Sequence, residues 1–128
     1  MRFSFPRLPA EFEIPDDWWS EAGMTDFTRS TTCYLSTDAT TRPIPLRDIE
    51  PPFREREFPH DFRGFDRARM VRILAGFVAG ADIKAVSLIE LPAPYAPQPP
   101  FRYRVYNGFH RFYASVAAGF ECLPGKSS

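Results

Sequence analysis

Two stretches of this chain carry apolar residues at helical spacing, each stopped by a glycine, and every other element has to fit around them. In residues 66–79, Met70, Ile73, Leu74, Phe77 and Val78 recur at that spacing, Arg67, Arg69 and Arg72 fall elsewhere, and Gly80 ends the pattern. In residues 108–118 the stripe is Phe109, Phe112, Tyr113, Val116 and Ala117, with Asn107 where an N-cap belongs and Gly119 as the stop. Short strand-like runs flank both: 44–49, with Pro45 suited to an edge position, then 86–91, then 101–106 with clean alternation, and 120–124. The order strand, helix, strand, strand, helix, strand predicts an α+β domain, a small mixed sheet packed by helices.

The first 41 residues read as an extension that packs on this body. Residues 1–15 set Pro6, Pro9 and Pro15 among Phe3, Phe5, Phe12 and Ile14, the pattern of an extended arm that lays aromatic rings on something else. Asp16-Asp17 precede Trp18-Trp19-Ser20-Glu21-Ala22-Gly23, which predicts a short helix with an acidic start, a side-chain cap and a glycine stop. Its paired tryptophans suit an anchor to the core better than a ligand platform. Residues 25–42 are rich in Ser and Thr and offer one strand candidate, Thr32 to Leu35. The body is expected over 42–125, and 126–128 as a frayed tail.

Composition narrows the class. Leu, Ile, Val and Phe fill 31 of 128 positions, about 24%, above the roughly 20% below which disorder is expected. No apolar run approaches the ~20 residues of a membrane span. The start of the chain lacks the h-region of a secretory signal, so the cytoplasm is the expected compartment. Cys33 and Cys122 lack CxxC or histidine-ligand spacing and are expected as buried thiols rather than a disulfide. Net charge is zero, yet residues 1–40 carry three basic and seven acidic side chains and residues 41–128 carry 13 and nine. Fourteen of the 16 basic residues are Arg, which suits phosphate or carboxylate but also follows from a GC-rich genome.

One run carries a chemical signal: Tyr103-Arg104-Val105-Tyr106-Asn107-Gly108-Phe109-His110-Arg111. A strand delivers the chain through Asn-Gly straight into a helix, whose first amides lack intrahelical acceptors and carry the positive end of the dipole. Gly108 would admit a phosphate to the backbone, and His110 and Arg111 would add donors from the same turn. Arg102 and Arg104 share a strand face with Tyr106, with no acid nearby in the chain until Glu121. A plainer role for Arg111 is to pair with an acid of the dense charged stretch 47–72, which holds seven Arg and six acids.

These residues carry a resemblance. Ile44-Pro45-Leu46-Arg47-Asp48-Ile49-Glu50-Pro51-Pro52-Phe53-Arg54, the following helix and strand, Gly108-Phe109-His110-Arg111, and the closing Ala118-Gly119-Phe120 to Leu123-Pro124 are similar to the ParB/sulfiredoxin superfamily over about residues 42–125. The resemblance implies a compact ParB/sulfiredoxin-like domain whose Gly108-Phe109-His110-Arg111 turn binds the phosphates of a nucleotide. The departures are informative: Phe109 stands where sulfiredoxins need a cysteine, and Phe-His-Arg stands where partition proteins have Glu-Arg-Arg. Neither of those two reactions is expected.

Two classes of function remain. In the first, an NTP-dependent phosphotransferase or hydrolase, Arg104, Gly108, Phe109, His110 and Arg111 hold phosphates of ATP or CTP with Mg, and Arg54 adds a second clamp. One of Asp48, Glu50, Glu55 and Glu57 supplies a base or metal ligand, and Glu55, beside Arg54, is the candidate. In the second, the same turn is a non-catalytic module for a nucleotide, a phosphorylated partner or nucleic acid. Zero net charge disfavours duplex DNA, and His60-Asp61 alone does not make a nuclease site. The run 92–100, five prolines in nine residues, reads as a stiff hairpin loop rather than a polyproline ligand.

Overall fold

The computed structural model describes residues 1–52, 62–92 and 101–127. It is a mixed α+β domain with a curled five-stranded sheet and three helices. Of the positions read from sequence, Arg54, Glu55, Glu57, His60, Asp61 and most of the 92–100 proline run lie outside the described residues.

The arm folds back on itself. Strands β1 (Arg2–Ser4) and β2 (Glu11–Glu13) pair antiparallel with Phe3 opposite Phe12. Alternation turns these rings toward the body, where Phe12 meets Tyr113 at 4.9 Å and Phe5 meets Tyr113 at 5.8 Å between ring centroids. Ile14 is fully buried. Helix α1 (Asp16–Glu21) follows, and Pro15 rather than an aspartate occupies its N-cap, because Asp16 and Asp17 already lie in the first turn. Trp18 is buried against Phe62 and half-buried Trp19 lies 5.1 Å from Phe3, so both tryptophans anchor the helix.

The run 44–49 is not one strand. β3 (Arg42–Pro45) gives way to a 3-10 turn at Leu46–Asp48 and then to β4 (Ile49–Glu50). An unbroken strand would put Leu46 and Ile49, three apart, on opposite faces; the turn buries both. Residues 32–35 form no strand either. Thr32 offers its carbonyl to the amides of Glu121 and Cys122, Leu35 offers its own to Ile83, and Tyr34 is buried with its hydroxyl donating to the Lys84 carbonyl at 2.7 Å.

Helix α2 (Arg67–Ala79) is capped by the Asp66 carboxylate, which accepts from the Arg69 amide at 2.8 Å, and ends at left-handed Gly80. Met70, Leu74 and Phe77 are its buried face, while Val78 is exposed. After β5 (Val86–Glu90) and β6 (Tyr103–Asn107) comes α3 (Phe109–Ala118), closed by left-handed Gly119, and then β7 (Cys122–Ser127). The expected frayed tail is ordered through Ser127, because Lys126 and Ser127 pair with Ser87 and Leu88 of β5.

Strand order is β3-β7-β5-β6-β4, with β3/β7 and β5/β6 antiparallel and β7/β5 and β6/β4 parallel. Pro43 and Pro45 sit on an outermost strand, where a missing N–H is tolerated. The curl brings Arg42 of β3 within 2.9 Å of the Tyr103 hydroxyl of β6, although β7 and β5 lie between them in the sheet. Gly125 makes this possible: a Cβ there would lie 2.7 Å from Ile44 and 2.9 Å from Leu88.

Candidate functional site

The candidate site is the passage from β6 into α3. Tyr103 is buried and Arg104 exposed, as alternation requires, with Arg102 exposed just before the strand; at Tyr106 the pairing with β5 shifts by one residue, and Tyr106 is 74% exposed. The strand extends through Asn107, so the residue at the start of α3 is Gly108, with φ 126° and no side-chain cap. The expected cap by Asn107 is therefore absent: the chain turns at the only residue type that adopts this φ without strain.

Gly108 has a second reason to be glycine. A Cβ there would lie 3.0 Å from both γ-methyls of Val86. The space its missing side chain leaves is filled by the neighbouring strand, and packing accounts for the glycine without a phosphate.

His110 was expected to reach a ligand and instead faces inward. It is 3% exposed, lies edge-on to Phe65 and Phe109, and accepts the Asp66 amide N–H on Nε2 at 2.8 Å. An acceptor nitrogen carries no proton, so the contact fixes Nε2 as the bare nitrogen of the ring. Because Asp66 caps α2, His110 ties the start of α2 to the first turn of α3.

Arg111 also turns to the fold. Its guanidinium donates to the carbonyl of Ala85, and among the described residues it pairs with no acid of the charged stretch. The lead-in to β5 is held from two further sides, by the Tyr34 hydroxyl on Lys84 and by the Asp38 carboxylate on the Ala85 amide at 2.8 Å. Burial pushes the Tyr34 phenol upward in pKa, and the Arg111 charge works against that rise. Tyr34 and Asp38 belong to the segment whose sequence was least informative; no spacing links them to Arg111, since the contact is made by the fold.

The outer face of β6 differs. Arg104 pairs with Glu50 of β4 at 3.3 Å, both side chains partly exposed. Parallel pairing sets Glu50 opposite Arg104, and the Asp48 carbonyl accepts from the Arg102 amide. The strand edge thus has an acid beside it that the linear sequence, in which the next acid is Glu121, did not reveal. Phe109 is half-buried and packs on Phe65 and Tyr113. Of the sequence candidates, Arg104, Gly108, Phe109, His110 and Arg111 therefore lie along one continuous passage, but only Arg104 faces outward.

Among the described residues no group of three or more His, Cys, Asp or Glu is placed to hold a metal ion, and no helix is long and apolar enough to cross a membrane. Two open cavities lie away from this passage. One of about 550 Å³ is bordered by Arg47, Phe120 and Cys122, and one of about 300 Å³ by Cys33, Tyr34 and Arg42. Comparison with protein-family models, with curated proteins and with solved structures finds no match to this chain.

Proposed function

We propose that this protein is a binding module for a nucleotide or a similar phosphate-bearing small molecule, engaged on the outer face of β6 where the strand enters α3. The observation that carries the reading is Tyr106, a large ring 74% exposed, two residues beyond exposed Arg104 and four beyond exposed Arg102. A phenol ring offers a base a flat stacking surface, and a guanidinium meets phosphate oxygens with paired donors. The first turn of α3 adds the positive end of a helix dipole a few residues on. The order of strands and helices supports the ParB/sulfiredoxin-like reading of residues 42–125, and zero net charge favours a small ligand over duplex DNA. Binding is favoured over turnover because His110 and Arg111, the side chains best suited to act on a phosphate, are engaged in holding α2 and β5. ATP or CTP with Mg, in the cytoplasm, are the ligands and setting this reading favours.

The test is titration of the purified protein with ATP, CTP, GTP and pyrophosphate, with and without magnesium, alongside Arg104→Ala and Tyr106→Ser. A nucleotide is expected to bind. Tyr106→Ser should weaken it roughly tenfold through lost stacking while leaving pyrophosphate affinity alone, and Arg104→Ala should weaken both. Absence of binding by every ligand, or wild-type affinity in both variants, overturns the proposal.

A further inference from the structure

Cys33 and Cys122, expected from sequence as separate buried thiols, are neighbours. Each is free and only half-buried. The carbonyl of Thr32, the residue before Cys33, accepts from the amides of Glu121 and Cys122 at 3.0 and 3.1 Å and from the Cys122 thiol at 3.5 Å. Those three contacts hold the backbone at Cys122 directly against the peptide that leads into Cys33, so the two cysteines lie side by side. Thr32 and Cys122 stand 90 positions apart in the chain, so the fold alone makes this pair. Both residues are partly exposed, and Cys122 borders the larger cavity and Cys33 the smaller.

We propose that Cys33 and Cys122 form a redox modification site, two thiols that close to a disulfide under a hydroperoxide and thereby tie the 25–41 segment covalently to β7. The Cys122 thiol attacks the peroxide, the O–O bond breaks, and Cys122 becomes a sulfenic acid while an alcohol, or water from hydrogen peroxide, departs. The Cys33 sulfur then attacks the Cys122 sulfur, the S–O bond breaks, and the Cys33 proton leaves with the hydroxide as water. Two electrons pass from the thiols to the peroxide, and a dithiol reverses the closure. Burial, together with the Cys122 sulfur beside it, pushes the Cys33 thiol up to about 11. Cys122 borders the larger of the two cavities, which gives an oxidant the wider approach to it and leaves Cys33 the resolving role.

The segment that the bond would clamp contains no helix or strand. It is held by Arg29 on Glu121 at 3.2 Å, by Thr37 on Asp82, and by Asp38 on the Ala85 amide. Cross-linking residues so far apart in the chain removes much of the freedom of the unfolded state.

Treatment of the intact protein with hydrogen peroxide, read by intact mass, thiol titration and a non-reducing gel, tests this. The expected product is a monomer lacking two hydrogens and both titratable thiols, restored by dithiothreitol, with a melting temperature raised by roughly 10 °C. With Cys33→Ser, Cys122 should be trapped as a sulfenic acid by dimedone, and the rise in melting temperature should vanish. Because the chain has only these two cysteines, an intrachain disulfide can have no other assignment. Wild-type protein that gains oxygen without losing two hydrogens, or that forms only disulfide-linked dimers, overturns the proposal. The wild-type mass does so even if the variant fails to fold. Nucleotide binding enters none of these readouts.

Discussion

Along β6, Arg104 and Tyr106 face outward, whereas just beyond, Gly108, His110 and Arg111 turn into the body of the protein. The residue types on the two sides of the turn are alike, and what separates them is backbone geometry. A strand sends alternate side chains to opposite faces, so an outer set survives whatever the inner set packs against. The first turn of a helix has no such guarantee, and here it lies over the lead-in to β5 and beside the start of α2. A glycine, a histidine and an arginine at a helix start therefore do not by themselves make an anion site. In this fold they form a joint between α2, α3 and the sheet.

The largest effect expected from this contrast is at Gly108. Gly108→Ala would place a methyl 3.0 Å from two Val86 carbons while forcing a non-glycine residue to φ 126°. Strain and overpacking together should cost about 2–4 kcal/mol. Urea unfolding reads it directly, and a loss below about 0.5 kcal/mol would mean that the glycine serves a ligand rather than the packing. A smaller loss is expected at His110. His110→Phe keeps a ring against Phe65 and Phe109 but leaves the Asp66 amide without its acceptor, for about 1–3 kcal/mol. The Asp66 amide should then exchange with solvent faster than in the wild type. Unchanged stability and exchange would return His110 to the list of ligand-binding side chains.

How much of this was legible in the sequence depended on whether the deciding contact was local. Gly80 and Gly119 as helix stops follow from backbone chemistry within a few residues, and the fold keeps both, whereas the alternation of β6 holds only as far as the register shift at Tyr106. The run 44–49 misled because its apolar residues suit both a strand and a turn, and only the burial of Leu46 together with Ile49 chooses the turn. Thr32 to Leu35 suit a strand yet make isolated backbone bonds to Glu121, Cys122 and Ile83 instead of a ladder. The site was half legible for the same reason. That Tyr103 is buried and Arg104 exposed is a matter of alternation along the strand. That Asp66 would need the His110 nitrogen, or Ala85 the Arg111 guanidinium, depends on where α2 and β5 come to rest against α3.

The smallest expected effect is the sharpest test of the contrast. Arg104→Ala removes an ion pair with Glu50 at 3.3 Å in which the arginine is half exposed and the carboxylate one-third exposed. Solvent and salt screen such a pair, and its loss should change stability by no more than about 0.5 kcal/mol. Tyr106→Ser removes a ring that is already 74% in water, so little buried area is lost and a similarly small change follows. If both variants melt within a degree or two of the wild type, any affinity they lose reports a missing contact rather than a damaged fold. If either loses more than about 1 kcal/mol, a larger cost than exposed side chains carry, the outer face of β6 is structural as well. The passage from β6 to α3 would then be a joint along its whole length, with no side left over for a ligand.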